Sequence, residues 1–131
     1  MQIWAYQESA AEKKLRALLD KTREKEQAKI AGSKLKQASV TIGKVEPGIA
    51  QFSEVLNRPG IEAIPSAVLN PLRDALSRLE SYRDVAQALM SNGGVGDALP
   101  TNPQISSAIM TGKRAVQLIV NMLAAVAKAM Q

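Results

Sequence analysis

The feature that most constrains this fold is a run of eight apolar residues whose spacings alternate between four and three. A repeat of this kind, a heptad seam, places its members along one face of an α-helix, and that face packs against other helices. Ala, Leu, Lys, Glu and Gln, which all favour helix, dominate the sequence from about residue 5 to residue 42. We therefore expect a long N-terminal helix. The seam residues are Ala31, Leu35, Ala38, Ile42, Val45, Ile49, Phe52 and Leu56.

Three residues that disfavour helix lie inside the seam, namely Gly43, Pro47 and Gly48. Proline removes one helical hydrogen bond, and it also disfavours helical angles at the residue before it. The sequence therefore predicts a kink or a short break at about 43–47, followed by a second helix from about 47 to 57.

Asparagine followed by proline marks the starts of two further helices, because Asn caps a helix and Pro is tolerated in its first turn. These pairs are Asn70-Pro71 and Asn102-Pro103, and Asn92-Gly93-Gly94 offers a left-handed cap that ends the first of the two helices. Aromatic residues make up only 3% of the chain, which disfavours a β-sandwich or barrel. The remaining expected elements are a turn at 57–60, a short turn at 65–69, a helix at 71–91, a loop at 92–102 and a helix at 103–130.

These patterns predict an all-α protein, with a long N-terminal helix plus a compact antiparallel helical bundle that self-associates. At 131 residues the chain fits a single domain. Within it, residues 1–44 form the long basic helix, whose first half projects, and residues 45–131 form the helical bundle. The first helix is longer than the last, so its overhang either finds a partner or stays in solvent, and self-association is the simplest solution.

The last expected helix is apolar over most of its circumference and therefore needs neighbours on several sides. It is either the central element of the bundle or part of a subunit interface. Ala108, Gly112 and Ala115 are small enough to let another backbone approach closely. The residues predicted to contact another subunit are Leu15, Leu18 and Leu19 on the overhang and Ile119, Leu123 and Val126 on the last helix.

The formal net charge of +5 comes from the N-terminal part of the chain. Residues 1–44 hold ten bases and five acids, whereas the rest of the chain holds seven of each. Much of this charge can pair along the helix, as in Glu12 with Arg16, so a solvated helix face is the simplest interpretation. The lysines that could bind a polyanion such as nucleic acid are Lys25, Lys29, Lys34, Lys36 and Lys44.

The sequence contains no Cys and no His, which excludes thiol nucleophiles, disulfides and metal sites built from these ligands. The carboxylate pairs Asp20 with Glu24 and Glu80 with Asp84 fit exposed helix faces better than an acid–base dyad. The glycine-rich loop at 92–102 lacks the Gly-Lys-Ser/Thr ending of a phosphate-binding loop. We therefore expect no enzymatic activity, no cofactor and no bound metal.

Three functions, each from a different class of protein, fit these features. The first is a non-catalytic structural or assembly subunit of a multi-copy complex, for example a component of a phage particle or a filament, whose partners are copies of itself and other subunits. The alternative is a small basic protein that binds or packages nucleic acid through the N-terminal helix. A third interpretation, a membrane-surface helix at 103–131, predicts liposome binding by that segment.

The N-terminus lacks the cationic start and apolar core of a secretory signal peptide. We expect an intracellular protein or a virion component, with signal-free export left open. The most apolar stretch, residues 115–130, is interrupted by polar residues and is shorter than the ~20 residues of a bilayer span. We therefore expect no transmembrane segment.

The tetrapeptide Pro100-Thr101-Asn102-Pro103 resembles the interhelical loop of type III secretion needle subunits, whose motif is Pro, Ser or Asp, Asn or Asp, Pro. The resemblance covers four residues, residue 101 is Thr here, and this chain is much longer than a needle subunit. Helix-breaking and helix-capping residues in this order would produce the same tetrapeptide. No family is therefore assigned from it.

Overall fold

The computed structural model describes residues 10–130, except for the side chains of residues 10 and 31. Three α-helices and a short 3-10 turn make up this described chain, which contains no β-strand. The all-α prediction, with a long N-terminal helix and a helical bundle, is confirmed. The predicted start of the first helix near residue 5 lies outside the described residues. The helices are α1 (Ala10–Leu56), α2 (Ser66–Ser91) and α3 (Asn102–Ala129), and the turn is Ile61–Ala63.

The three helices pack side by side in an up-down-up arrangement. Ala38 in the middle of α1 packs with Leu89 near the end of α2, so α1 and α2 are antiparallel. Ile109 approaches Gly48 in α1, and Leu123, further along α3, approaches Gly60 just after α1, so α1 and α3 run parallel. The contact of α2 with each of its neighbours is larger than the contact between α1 and α3. The central element is therefore α2, not the last helix.

The buried face of α1 keeps the predicted heptad spacing but is rotated by part of a turn from the predicted seam. Ala38, Val45 and Phe52 are fully buried, as predicted. The other described seam residues are only half-buried, whereas each residue three positions after a fully buried one is buried as well. The half-buried set is Leu35, Ile42, Ile49 and Leu56, and the additional buried set is Thr41, Gly48 and Val55.

Phe52 has the largest fully buried side chain among the described residues, and its ring lies directly against Gly112 of α3. A Cβ atom at position 112 would overlap three atoms of this ring. The small residues of the last helix do allow a close approach, as expected, but an aromatic side chain makes it rather than another backbone. The main core contributed by the other helices consists of Leu69, Leu72, Ala75 and Leu79 in α2 and Ile105, Ala108, Ala115 and Ile119 in α3.

Pro47 lies inside α1, so a break at 43–47 and a separate helix from about 47 are wrong, whereas the alternative of a kink stays a prediction. Because proline has no N–H, the carbonyl of Gly43 loses its helical donor at this turn. Gly43 and Pro47 both lie on the exposed side of α1, where water can bind the released carbonyl. Val45, on the opposite side, is fully buried. Packing of the buried side outweighs the roughly 3 kcal/mol cost of proline in a helix interior.

The start of α2 is Ser66, so the predicted turn at 65–69 and the predicted start at Pro71 are also wrong. The helix begins directly after Pro65, whose carbonyl accepts a hydrogen bond from the amide of Leu69 at 3.1 Å. Leu69 is then buried in the core, and Pro71 is carried inside the helix. Tertiary packing of one extra turn therefore decides where this helix begins.

Capping residues form both ends of the loop between α2 and α3. Gly93 and Gly94 have φ angles of 66° and 93°, which confirms the predicted left-handed cap of α2. The cap of α3 is Thr101 rather than Asn102. The amide of Gln104 donates to Thr101 Oγ1 at 3.3 Å, and the amide of Thr101 donates to Gln104 Oε1 at 2.8 Å. This reciprocal capping box gives the threonine of the Pro100–Pro103 tetrapeptide a local structural role.

Candidate interaction surfaces

The first half of α1 projects beyond the bundle. We call residues 10–34 the projecting segment, and every side chain described within it is exposed. At 1.5 Å per residue this segment is about 37 Å long. The positions that would continue the buried face of α1 carry mostly polar residues, so they offer little apolar surface to the bundle. These positions are Lys13, Ala17, Asp20, Glu24, Gln27, Ala31 and Lys34.

Three leucines form an apolar patch on this segment, which we call the leucine patch. Leu15, Leu18 and Leu19 are 59%, 61% and 58% exposed. In the heptad register that buries Ala38 and Phe52, all three occupy positions on the outer side of α1. The hydroxyl of the neighbouring Thr22 donates to the Leu18 carbonyl at 2.9 Å, which pairs this polar group within the helix. The patch therefore faces away from the chain's own core.

The predicted contact residues of the last helix do not lie near the leucine patch. Ile119 is fully buried in the core of its own chain, which removes it from any surface contact. Leu123 and Val126 are half-buried and line a cavity of about 290 Å³ beside Gly60. That end of the bundle is roughly 55 Å along α1 from Leu19. The six predicted interface residues are therefore divided between opposite ends of the molecule and the core.

The five lysines proposed as polyanion contacts also divide into groups. Lys25, Lys29 and Lys36 follow one another at spacings of four and seven, which places them along one face of α1. Lys34 lies on another side, where it lines a cavity of about 400 Å³ together with Asp97. Lys44 donates a hydrogen bond from Nζ to Asn102 Oδ1 at 2.8 Å. The lysines thus do not form one continuous surface.

A third cavity, of about 500 Å³, lies between α1 and the residues that lead into α3. We call it the α1–loop groove. Lys36, Val40 and Lys44 form one edge of it, and Leu99 and Pro100 form the opposite wall. Lys36 and Lys44 were each predicted from the sequence as polyanion contacts. Nothing in the sequence indicated the groove, because the position of Leu99 depends on how the 92–101 loop crosses α1.

α3 also contributes to an apolar groove on the other side of the bundle, between its middle and the start of α2. This groove has a volume of about 330 Å³, and Val68, Pro71 and Leu118 line it together with Arg114. Length and composition alone would allow α3 to cross a membrane, but many core helices meet the same criteria. Ile105, Ala108 and Ile119 form a buried face on α3, and 22% of its most apolar 18-residue stretch is buried in the bundle.

Glu54 has a shifted pKa, and it lies on the exposed surface of α1. Arg58 Nε donates to its two carboxylate oxygens at 2.9 and 3.1 Å. This hydrogen bond, supported by the opposite charge of Arg58, lowers the pKa of Glu54 below its ordinary value of 4.5. The same contact raises the pKa of Arg58. Among residues 10–130, no group of three or more Asp or Glu side chains is placed to hold a metal ion.

Comparison with known proteins gave no match: no protein-family model fits the chain, and no curated protein or solved structure is significantly similar to it. The function is therefore inferred from the surfaces of the molecule itself.

Proposed function

We propose that this chain is a non-catalytic structural subunit that joins a multi-copy assembly through its projecting segment, for example as a component of a phage particle or a filament. The observation that carries this proposal is the leucine patch, which is exposed on a helix that the chain's own bundle does not cover. Most of the stability of helices in proteins comes from packing of an apolar face, so a segment without such packing gains stability when a partner covers it.

The size of the patch sets the free energy that self-association can gain. Full burial of a leucine stabilises by about 1.5–3 kcal/mol, so three leucines that are about 60% exposed contribute about 3–5 kcal/mol per copy. Association costs at least about 4 kcal/mol in lost translational and rotational freedom. Because a pairing buries the patch of both copies, it gains about 6–10 kcal/mol in total against this cost.

The charges beside the patch favour parallel packing of the projecting segments. In a seam formed by residues 11, 15, 18 and 22, parallel packing brings Lys21 of one copy near Glu26 of the next. Antiparallel packing would instead bring Lys21 near Lys14. Opposite charges at such flanking positions set the orientation of helix pairing.

The test is the molar mass in solution, measured by light scattering at about 50 and about 500 mM salt. We expect the native chain to form a multimer of its 14.0 kDa subunit that persists at the higher salt concentration. Replacing Leu15, Leu18 and Leu19 by glutamine keeps the helix propensity and removes the apolar contact, so this variant should be a monomer.

A matched control variant carries Lys13→Gln, Ala17→Gln and Glu24→Gln, which change the other side of the same segment without altering its net charge. This control should keep the mass of the native chain. A leucine variant with the native mass, or a native chain that remains monomeric at high concentration, would contradict the proposal.

A second candidate function is nucleic-acid binding through the basic half of α1, and the alignment of Lys25, Lys29 and Lys36 on one face favours it. Contacts of this kind weaken steeply with salt, because they release counterions. Replacing the five candidate lysines by glutamine should abolish a low-salt mass shift with short DNA and leave self-assembly intact. No shift with DNA at low salt would exclude this candidate.

A further inference from the structure

The α1–loop groove has an ordered row of groups along its α1 edge. Lys36, Val40 and Lys44 follow one another at intervals of four residues, so an apolar side chain stands between two ammonium groups. The side chain of Val40 is 49% exposed. Leu99 and Pro100 face this row from the opposite wall.

Lys44 is held in position at one end of the groove. Its Nζ donates to Asn102 Oδ1 at 2.8 Å, and an ammonium group has three donors, so two remain for a ligand. Ser33, Gln37 and Thr41 add neutral polar groups to the lining. No carboxylate is among the described residues that line this groove, since Asp97 lines the neighbouring cavity with Lys34. The groove is therefore cationic at both ends and apolar in its middle.

We propose that this groove binds an extended acidic segment of another protein, in which two carboxylates four residues apart flank an apolar residue. Along α1 the two lysines are separated by roughly 12 Å. In an extended peptide, residues i, i+2 and i+4 lie on one side, and i and i+4 are roughly 13 Å apart. The two carboxylates then reach Lys36 and Lys44, and the middle side chain packs against Val40.

Two observations narrow the choice of ligand. No aromatic residue is among the groove's described lining, so nothing there can stack on the bases of a nucleic acid. Three carboxylate pairs of this chain have the required spacing, but each includes at least one residue that lies in a helix and is not extended. These pairs are Glu8 with Glu12, Asp20 with Glu24, and Glu80 with Asp84. The ligand is therefore a segment of a different protein, independent of the self-assembly proposed above.

The experiment is fluorescence anisotropy with the full chain and labelled peptides at about 50 mM salt. The probe contains Glu-Ser-Val-Ser-Glu, and its controls contain the scrambled order Glu-Glu-Val-Ser-Ser or replace the valine by serine. We expect the probe to bind several-fold more tightly than either control. The double variant Lys36→Gln and Lys44→Gln should bind the probe about tenfold more weakly, as expected for the loss of two exposed ion pairs.

The matched control is the double variant Lys113→Gln and Lys128→Gln, which removes the same charge from exposed positions of α3 outside the groove and should change the affinity by less than about twofold. Thermal melting followed by circular dichroism verifies that both variants keep the fold. An equal loss in both double variants, or equal binding of the scrambled peptide, would show diffuse attraction and overturn the proposal. So would tighter, Lys36- and Lys44-dependent binding of a short oligothymidylate, which would assign the groove to nucleic acid.

Discussion

The two halves of α1 belong to one continuous helix, yet the same heptad positions carry different residues in each half. In the bundle half these positions are occupied by apolar or small residues, such as Val45, Gly48 and Phe52, and all are buried. In the projecting half they carry mainly charged or polar residues, such as Lys13, Asp20 and Glu24, and every such side chain that the structure describes is exposed. The backbone is helical in both halves, and only one half is packed.

This difference separates two requirements that usually occur together. Helix formation needs residues of good propensity and few strong breakers, and both halves meet that condition well enough. Packing needs apolar residues at the correct phase, and the projecting half has its leucines at a different phase. Leu15, Leu18 and Leu19 lie on the outer side of α1, so they cannot extend the bundle of their own chain. The proposed self-assembly would cover them.

The largest expected effect is the difference in the free energy of unfolding between removing a large side chain from the bundle half of α1 and removing one from the projecting half. Phe52→Ala should reduce the free energy of unfolding by about 3–5 kcal/mol, because it empties the fully buried space between α1 and Gly112. Leu18→Ala should change it by less than about 0.5 kcal/mol when the protein is dilute and monomeric. Urea unfolding followed by circular dichroism measures both. Similar losses in the two variants would mean that the projecting half is part of the cooperative core.

A smaller effect is expected from adding one methyl group to a helical glycine in each part. Gly112→Ala places a Cβ atom against the ring of Phe52, and overpacking of this kind costs about 1–3 kcal/mol. Gly32→Ala, in the projecting segment, meets no atom within 4 Å and should only gain the helix propensity of alanine, up to about 1 kcal/mol. The unfolding midpoint should fall for the first variant, and far-UV helicity should rise for the second. A stabilised Gly112→Ala variant would show that Phe52 is not held against α3.

The main elements could be predicted from the sequence because they depend on local signals. The heptad spacing identified Ala38, Val45 and Phe52 as core residues, and two consecutive glycines identified the end of α2. The continuous path of α1 through Pro47 could not be predicted in this way. The local cost of proline argues for a break there, and it is offset by packing against helices that are distant in sequence.

The surfaces were harder to predict than the fold. The three overhang leucines are exposed, but Ile119 looked like an interface residue and is buried in its own chain. The apolar width of α3 alone could not show which of its residues α1 and α2 would cover. The α1–loop groove depends on Leu99 and Pro100 crossing α1, and this crossing has no local sequence signal.

The smallest expected effect concerns an ion pair in the bundle half of α1. Arg58 lowers the pKa of Glu54, so the pair stabilises the fold above pH 4.5, and this contribution is lost as the pH falls through the lowered pKa. Glu54→Gln should therefore lower the urea midpoint slightly at neutral pH and leave it unchanged in strong acid. Both side chains are exposed, and solvent screens their attraction, so the difference is small. Glu46→Gln is the control, because Ala50 rather than an arginine lies four residues after Glu46. A difference for Glu54→Gln that persists in strong acid would show that the glutamate acts through packing rather than through its charge.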